Sequence, residues 1–392
     1  MRIGISNKKI YYLLYILILF IIIEMFSFII LKLNYLYKNN EIADNVFYNK
    51  EKHERLILVG RELSKIKHYY KAFVGWNASE FNGKYINIDE NGFRKTQLPE
   101  NIVNKTKVHF FGGSTMWGYG VKDSSTIPSI VADKMKLETI NYGQQGYNSR
   151  QELNLLINHI DNINENDIVI FYDGFNDSFN SCNNWDNIYG HYGEGVTKKR
   201  LELFKKENAF KLILLMPQKL YQASNFKKLS DKFSIRIKQR NTKRILKKDD
   251  TDYKEKKADT DYKEKKPNLN NGVNNNTCLG QERIDRISNS IKNNWEIAER
   301  IVASKKANFF CILQPLQYTQ NYHPTLFNQN TNKIINEMYL SIISNAKDLK
   351  CFRNLSNSKI DNENWFDRNG HVYYEGNLQI AKHIINLISK IK

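Results

Sequence analysis

Four short segments carry side chains suited to acyl-transfer chemistry. GGSTMWGYG sets Ser114 directly after the apolar run VHFFG, Val108 to Gly112. A serine on a tight turn between strand and helix can present both its hydroxyl and its own N–H to a carbonyl. NYGQQGYNS contains Gly146, where the missing Cβ lets backbone N–H approach a ligand. GFND follows DIVIFYD and offers the Asn176 amide as a donor, while WFDRNGHVYYEGN supplies Asp367 and His371. Singly these are weak signals. Gly-Gly-Ser after a strand is most often a turn, Asn-Asp a loop cap, and a lone late histidine a surface residue. GGSTMWG also lacks the lysine of a phosphate loop, which argues against nucleotide binding.

The elements that must position these groups read as alternating strands and helices. Strands are expected at VHFFG, at ETIN (138–141), at DIVIFYDG (167–174), at NFFCILQP (308–315) and at CFRNL near Cys351. Helices are expected at about 124–137, 149–160 and 378–391. This alternation predicts an α/β fold, a three-layer α/β/α sandwich with a central parallel sheet of about five strands. In such sheets the working residues lie on loops at the carboxyl ends of strands.

Composition bounds the class. The chain has 392 residues, 41% hydrophobic and 12% aromatic, enough for a sizeable core and against wholesale disorder. Lys and Arg number 59 against 41 acidic residues, a formal charge of +18 that points to an anionic partner such as phospholipid headgroups, nucleic acid or an acidic glycan. Cys182, Cys278, Cys311 and Cys351 lie far apart with no C-x-x-C pair, so neither a disulfide framework nor a structural metal is expected. No cofactor is expected either. Nucleic acid is disfavoured, because the chain has no zinc finger and no aromatic-glycine RNA motif.

From Ile10 to Leu31 the chain reads IYYLLYILILFIIIEMFSFIIL, interrupted only by Glu24. Twenty-two residues at about 1.5 Å rise span roughly 33 Å, enough to cross a hydrocarbon core. The run is longer than a signal-peptide core and lacks an A-x-A site, so an uncleaved anchor is expected. Arg2, Lys8 and Lys9 precede it and Lys32 and Lys38 follow, a bias favouring a cytoplasmic N-terminus and an exported body. Glu24 either marks a partner helix or is a tolerated protonated carboxyl, with the second preferred.

The expected organisation is a cytoplasmic 1–9, a transmembrane anchor 10–31, a polar stalk 32–70, a lead-in 71–106 and the α/β domain 107–392. A basic insert interrupts that domain at about 183–280. Lys198 to Lys266 hold 23 basic against 10 acidic residues, including DTDYKEKK at 250–257 repeated at 259–266. That low-complexity stretch is expected to be solvated. KLILLMPQKLY (211–221) is both apolar and basic, fit either to lie on an anionic membrane or to pack on the core.

From Lys107 to its end, the insert excepted, the chain resembles the SGNH (GDSL-like) hydrolase family. The motifs that carry the resemblance are FGGST with Ser114, NYGQQG with Gly146, GFND with Asn176, and the Asp367/His371 pair before a terminal helix. YINIDENGFRKT (85–96) looks like the lead-in of membrane-anchored members found with bacterial cell-surface polysaccharide genes. Two departures stand out: GGST replaces Gly-Asp-Ser, and the acid and histidine are spaced D-x-x-x-H instead of D-x-x-H, which leaves Asp361 as a fallback acid. The resemblance implies Ser114 as nucleophile, His371 as base and Asp367 as its partner, with Ser114 N–H, Gly146 N–H and the Asn176 amide as oxyanion donors. It implies an esterase removing acyl groups, acetyl foremost, from an exported glycan or envelope molecule. An O-acyltransferase would use the same serine but would need a polytopic partner to deliver its acyl donor. A catalytically inactive glycan-binding or assembly module is the third reading, supported only by the D-x-x-x-H spacing.

Overall fold

A computed structural model describes residues 7–41, 50–183, 224, 225, 227, 229, 230, 280–319, 329–367 and 369–391. The 211–221 stretch, the tandem repeat and Cys278 lie outside the described residues. The chain divides into two units, one of residues 1–48 with 201–272 and one of 49–200 with 273–392.

In the first unit, helix α1 (Asn7–Glu41) contains the apolar run. Its Leu14–Lys32 stretch is long and apolar enough to cross a membrane and is almost wholly unburied. Apolar side chains on every face are what a lipid-exposed helix requires. Glu24 does not stand alone there. Its Oε2 accepts the backbone N–H of Asn225 at 2.8 Å, so the carboxyl has a partner within the chain.

The second unit begins with helix α2 (Lys50–Leu63) and two antiparallel hairpins, β1 (His68–Lys71) with β2 (Gly75–Ala78) and β3 (Phe81–Asn82) with β4 (Asn87–Ile88). Here the structure differs from the expected stalk. Val59 of α2 is buried in one cluster with Ile66, Ile86, Ile88 and Trp117, because the hairpins offer an apolar face that the helix covers.

The central sheet has the order β6-β5-β7-β8-β9, with every neighbouring pair parallel. Its strands are β5 (Asn104–Gly112), β6 (Leu137–Asn141), β7 (Ile168–Asp173), β8 (Asn308–Leu313) and β9 (Phe352–Asn354). Side chains alternate between faces along each strand. Phe111, Val169, Phe171, Phe309 and Leu313 enter one core, and Val108, Phe110, Ile168, Ile170 and Ile312 the other. The first core is covered by α5 (Ser149–Asn158), α7 (Gln281–Ser304) and α8 (Gln329–Ala346), the second by α4 (Ile127–Met135) and α9 (Tyr374–Ile388). Both faces are therefore covered, as the sequence predicts for a three-layer sandwich.

Local chemistry sets several boundaries. Thr126 caps α4 by accepting the Ser129 N–H, and Asn148 with Gln151 forms a capping box that starts α5. The sequence reading assigns no helix to 281–304. Its stripe of Ile284, Ile287, Ile291, Trp295, Ala298 and Val302 is buried yet diluted by Asn, Ser and Arg. Cys311 on β8 and Cys351 just before β9 form a disulfide, with Cα atoms 5.2 Å apart. One bridge across the edge strand is present, where composition predicted no disulfide framework.

Candidate active site

Strand order reverses at β5, which has β6 on one side and β7 on the other, so the carboxyl ends of β5 and β7 flank a crevice. Strand β5 ends at Gly112, Gly113 caps the one-turn helix α3 (Ser114–Trp117), and Ser114 is its first residue. An N–H in a first helical turn has no acceptor within the helix, so that of Ser114 is available to a ligand. Strand β7 leads through Gly174 into α6 (Phe175–Asn183), which carries Asn176.

His371 brings the remote end of the chain to this point. Its Nε2 lies 2.7 Å from Ser114 Oγ, and its Nδ1 lies 2.5 Å from Asp367 Oδ2. The other carboxylate oxygen, Oδ1, accepts the backbone N–H groups of Asn369 at 2.9 Å and His371 at 3.3 Å. A bridge between Trp365 and Val372 closes the base of this loop, and Phe366 N–H donates to the His371 carbonyl. The extra residue of the D-x-x-x-H spacing is thus absorbed in a loop that folds back on its own carboxylate. Gln317 Nε2 also donates to the Asp367 carbonyl at 2.6 Å. Asp361 lies elsewhere: it is exposed and bound to Gln379.

The donor side gathers around Gly113. Asn176 Nδ2 donates to the Tyr147 carbonyl at 2.7 Å and lies so close to Gly113 that a Cβ there would overlap it. Tyr147 follows Gly146, whose φ of +79° is the left-handed conformation that a side chain would strain. The sequence-predicted residues Ser114, His371, Asp367, Gly146 and Asn176 therefore lie together on the loops at the carboxyl end of the sheet. This arrangement can transfer a proton from a serine hydroxyl to an imidazole while presenting N–H groups beside that hydroxyl.

Sequence reasoning did not single out the residues that hold these loops. Arg94 is fully buried in the lead-in; its Nη1 donates to the carbonyls of Trp117 and Gly118, its Nη2 to that of Val121, and its Nε to Asp123. One guanidinium thus fixes the chain leaving the Ser114 turn, and no local pattern distinguishes this arginine from a surface one. Tyr119 stacks on the His371 ring with centroids 4.5 Å apart. Burial, reinforced by the Asp367 charge, raises the Tyr119 phenol above its ordinary value, so it stays neutral against the imidazole. Asp177 Oδ1 accepts both the N–H and the hydroxyl of Ser149, tying α6 to the start of α5.

Behind Asn176 lie three fully buried carboxyls, Glu152, Asp173 and Asp177. Burial, then the charge of Asp177, pushes Asp173 up to about 8. Burial likewise raises Asp177 to about 6, and raises Glu152 well above its ordinary value. Trp295 Nε1 donates to Asp173 Oδ2 at 2.6 Å, and a side-chain hydrogen bond joins the Asp173 and Glu152 carboxyls. Among the described residues no group of His, Cys, Asp and Glu is arranged to hold a metal ion.

No protein-family model matches the chain, and no curated protein sequence matches it. Among solved structures, a candidate lipolytic protein of the G-D-S-L family from Desulfitobacterium hafniense is 12% identical, with a TM-score of 0.32, covering 72% of this chain and 99% of its own. A candidate acylhydrolase from Bacteroides fragilis is 11% identical, with a TM-score of 0.35, covering 75% of this chain and 92% of its own. At such identities and TM-scores the functional reading rests on this chain's own geometry.

Proposed function

We propose that the protein is a membrane-anchored serine esterase that cleaves acyl esters, acetyl foremost, on an exported glycan or envelope molecule. The observation that carries this reading is the continuous hydrogen-bonded series from Ser114 Oγ through His371 to Asp367. Ser114 Oγ attacks the ester carbonyl as His371 Nε2 takes its proton. Asp367 holds the imidazole with Nδ1 protonated and stabilises the cation that forms. The Ser114 N–H, the Gly146 N–H and the Asn176 amide donate to the oxyanion. The tetrahedral intermediate collapses, His371 returns the proton to the leaving alcohol, and water repeats the sequence on the acyl-enzyme.

The D-x-x-x-H spacing was the one feature favouring an inactive module, and the contact of Asp367 with His371 across that loop supports the catalytic reading instead. Anchoring is supported by the apolar Leu14–Lys32 stretch. The buried Cys311–Cys351 bridge suits an oxidising compartment outside the cytoplasm.

The test uses the full chain in detergent, wild type beside Ser114→Ala, with p-nitrophenyl acetate and a fluorophosphonate probe read by intact mass. Ser114-dependent turnover with a single adduct supports the esterase. An adduct without turnover points instead to an acyltransferase lacking its acceptor. Absence of both sinks the serine mechanism.

A further inference from the structure

Helix α2 carries Lys52, Leu56, Val59 and Leu63 at i, i+4, i+7 and i+11, which places them on one face. The far end of that face is fixed. Val59 and Leu63 pack with Ile86 and Ile88, and the Glu62 carboxylate accepts the backbone N–H groups of Lys84, Tyr85 and Ile86. The near end meets the loop that carries Asp367 and His371. Lys52 is buried there, and its Nζ donates to Asn364 Oδ1 at 2.9 Å. The same ammonium lies 3.7 Å from Glu375 Oε2 and 5.5 Å from the centre of the Tyr373 ring.

These partners flank the loop. Asn364 stands just before the Trp365–Val372 bridge, Tyr373 and Glu375 just after it, and the Tyr373 N–H donates to the Asn364 carbonyl at 2.8 Å. One ammonium therefore holds both ends of the segment on which Asp367 meets His371. Leu56, one turn along α2, stands beside Gly120 and Phe366, where a Cβ on Gly120 would overlap both side chains. Phe366 in turn stacks on the His371 ring with centroids 5.8 Å apart. Burying an ammonium is costly unless directional partners compensate it, and an unbranched apolar side chain of similar length would fill this space without that cost. A lysine here is better explained by the hold it provides than by stability.

We propose that Lys52 is a positioning residue for the acyl-transfer site. By holding Asn364 and Glu375 together it keeps the loop in the arrangement that joins Asp367 to His371 and His371 to Ser114. A displacement of about 1 Å would carry either contact beyond hydrogen-bond reach. The segment expected as a stalk thus belongs to the catalytic unit. The consequence for turnover rests on the esterase reading; the hold on the loop does not.

The test compares Lys52→Met, Lys52→Arg and wild type, each as the full chain in detergent, with a thermal melt to check the fold. Two readouts are taken: steady-state hydrolysis of p-nitrophenyl acetate, and hydrogen exchange at the Phe366, His371 and Tyr373 amides relative to those of β7. Lys52→Met is expected to lower kcat about 10- to 10²-fold with KM little changed, and to speed exchange in the loop but not in β7. Lys52→Arg, which keeps the charge and the donors, is expected to restore most of both. Loop exchange equal to wild type overturns the proposal, as does faster loop exchange with kcat unchanged. Exchange that rises in β7 as much as in the loop, with no rescue by Lys52→Arg, overturns it in favour of a contribution to stability alone. Wild type without turnover overturns the esterase reading, and the positioning role in catalysis with it, while loop exchange still reports whether Lys52 holds the segment.

Discussion

The carboxylate of Asp367 holds His371 twice, with Oδ2 at 2.5 Å from the ring Nδ1 and Oδ1 at 3.3 Å from the backbone nitrogen. Asp367→Asn retains the volume and an acceptor but no longer stabilises the imidazolium. Turnover of p-nitrophenyl acetate is expected to fall about 10⁴-fold with the thermal midpoint nearly unchanged. Asp361→Asn, made beside it, is expected to leave turnover at the wild-type level; a large loss there would show that the acid has been misassigned.

Gly113 is close enough to Asn176 that any side chain must displace the amide. Gly113→Ala and Asn176→Ala are therefore expected to act alike, each lowering kcat by about 10²–10³ with little change in KM. The double variant is expected to lose little more than either single one. Additive losses in steady-state kinetics would mean that Gly113 acts by another route.

The buried carboxyls make stability depend on pH. The folded chain keeps a proton on Asp173 up to about pH 8. The unfolded chain releases that proton near pH ~4. Across that window the folded state binds more protons, so this group's contribution to stability falls as pH rises and levels off above the folded value. Asp173→Asn keeps an acceptor for Trp295 and removes the charge. Thermal melts from pH 5 to about 9 are expected to show a flatter profile and a higher midpoint at the alkaline end. A variant profile parallel to wild type would place the dependence in other groups.

Cys311 and Cys351 close a loop with a sequence separation of 40 in a buried part of the sheet. Cys351→Ser is expected to cost about 2–4 kcal/mol, seen as a lower denaturant midpoint. Wild type in reductant should approach the same value. A midpoint insensitive to both would mean that the bridge contributes nothing to stability.

Phe73 offers an opposite case. With its φ of +64°, Phe73→Gly is expected to relieve about 1 kcal/mol of backbone strain, partly offset by a more flexible unfolded chain. Denaturant unfolding should show no loss of stability. A clear loss would show that the exposed ring makes stabilising contacts.

Much of this architecture was legible along the chain, because strand signals are local. IVIFY, Ile168 to Tyr172, is an uninterrupted apolar run and reads as a strand covered on both faces, as β7 is. The Ser114, Gly146 and Asn176 segments were legible because each follows a strand directly, so the sheet alone delivers them to one edge. The α1 run was likewise plain from its uninterrupted apolar length. Helix α2 was misread as stalk because its few apolar residues gain meaning only opposite the face made by Ile86, Ile88 and Trp117.

Tertiary structure decided what local pattern could not express. Whether Asp367 or Asp361 serves His371 depends on how a five-residue loop folds back, and spacing along the chain does not encode that. The role of Arg94 depends on carbonyls 23 to 27 residues away, and that of Asp177 on a serine 28 residues away. The sequence by itself determined the layers, the sheet and the residue types at its carboxyl edge, since periodicity and turn chemistry act between near neighbours. Only the folded chain decided which carboxylate and which ring meet His371 and which guanidinium holds the chain leaving the Ser114 turn, since hydrogen bonds and burial depend on distance in space.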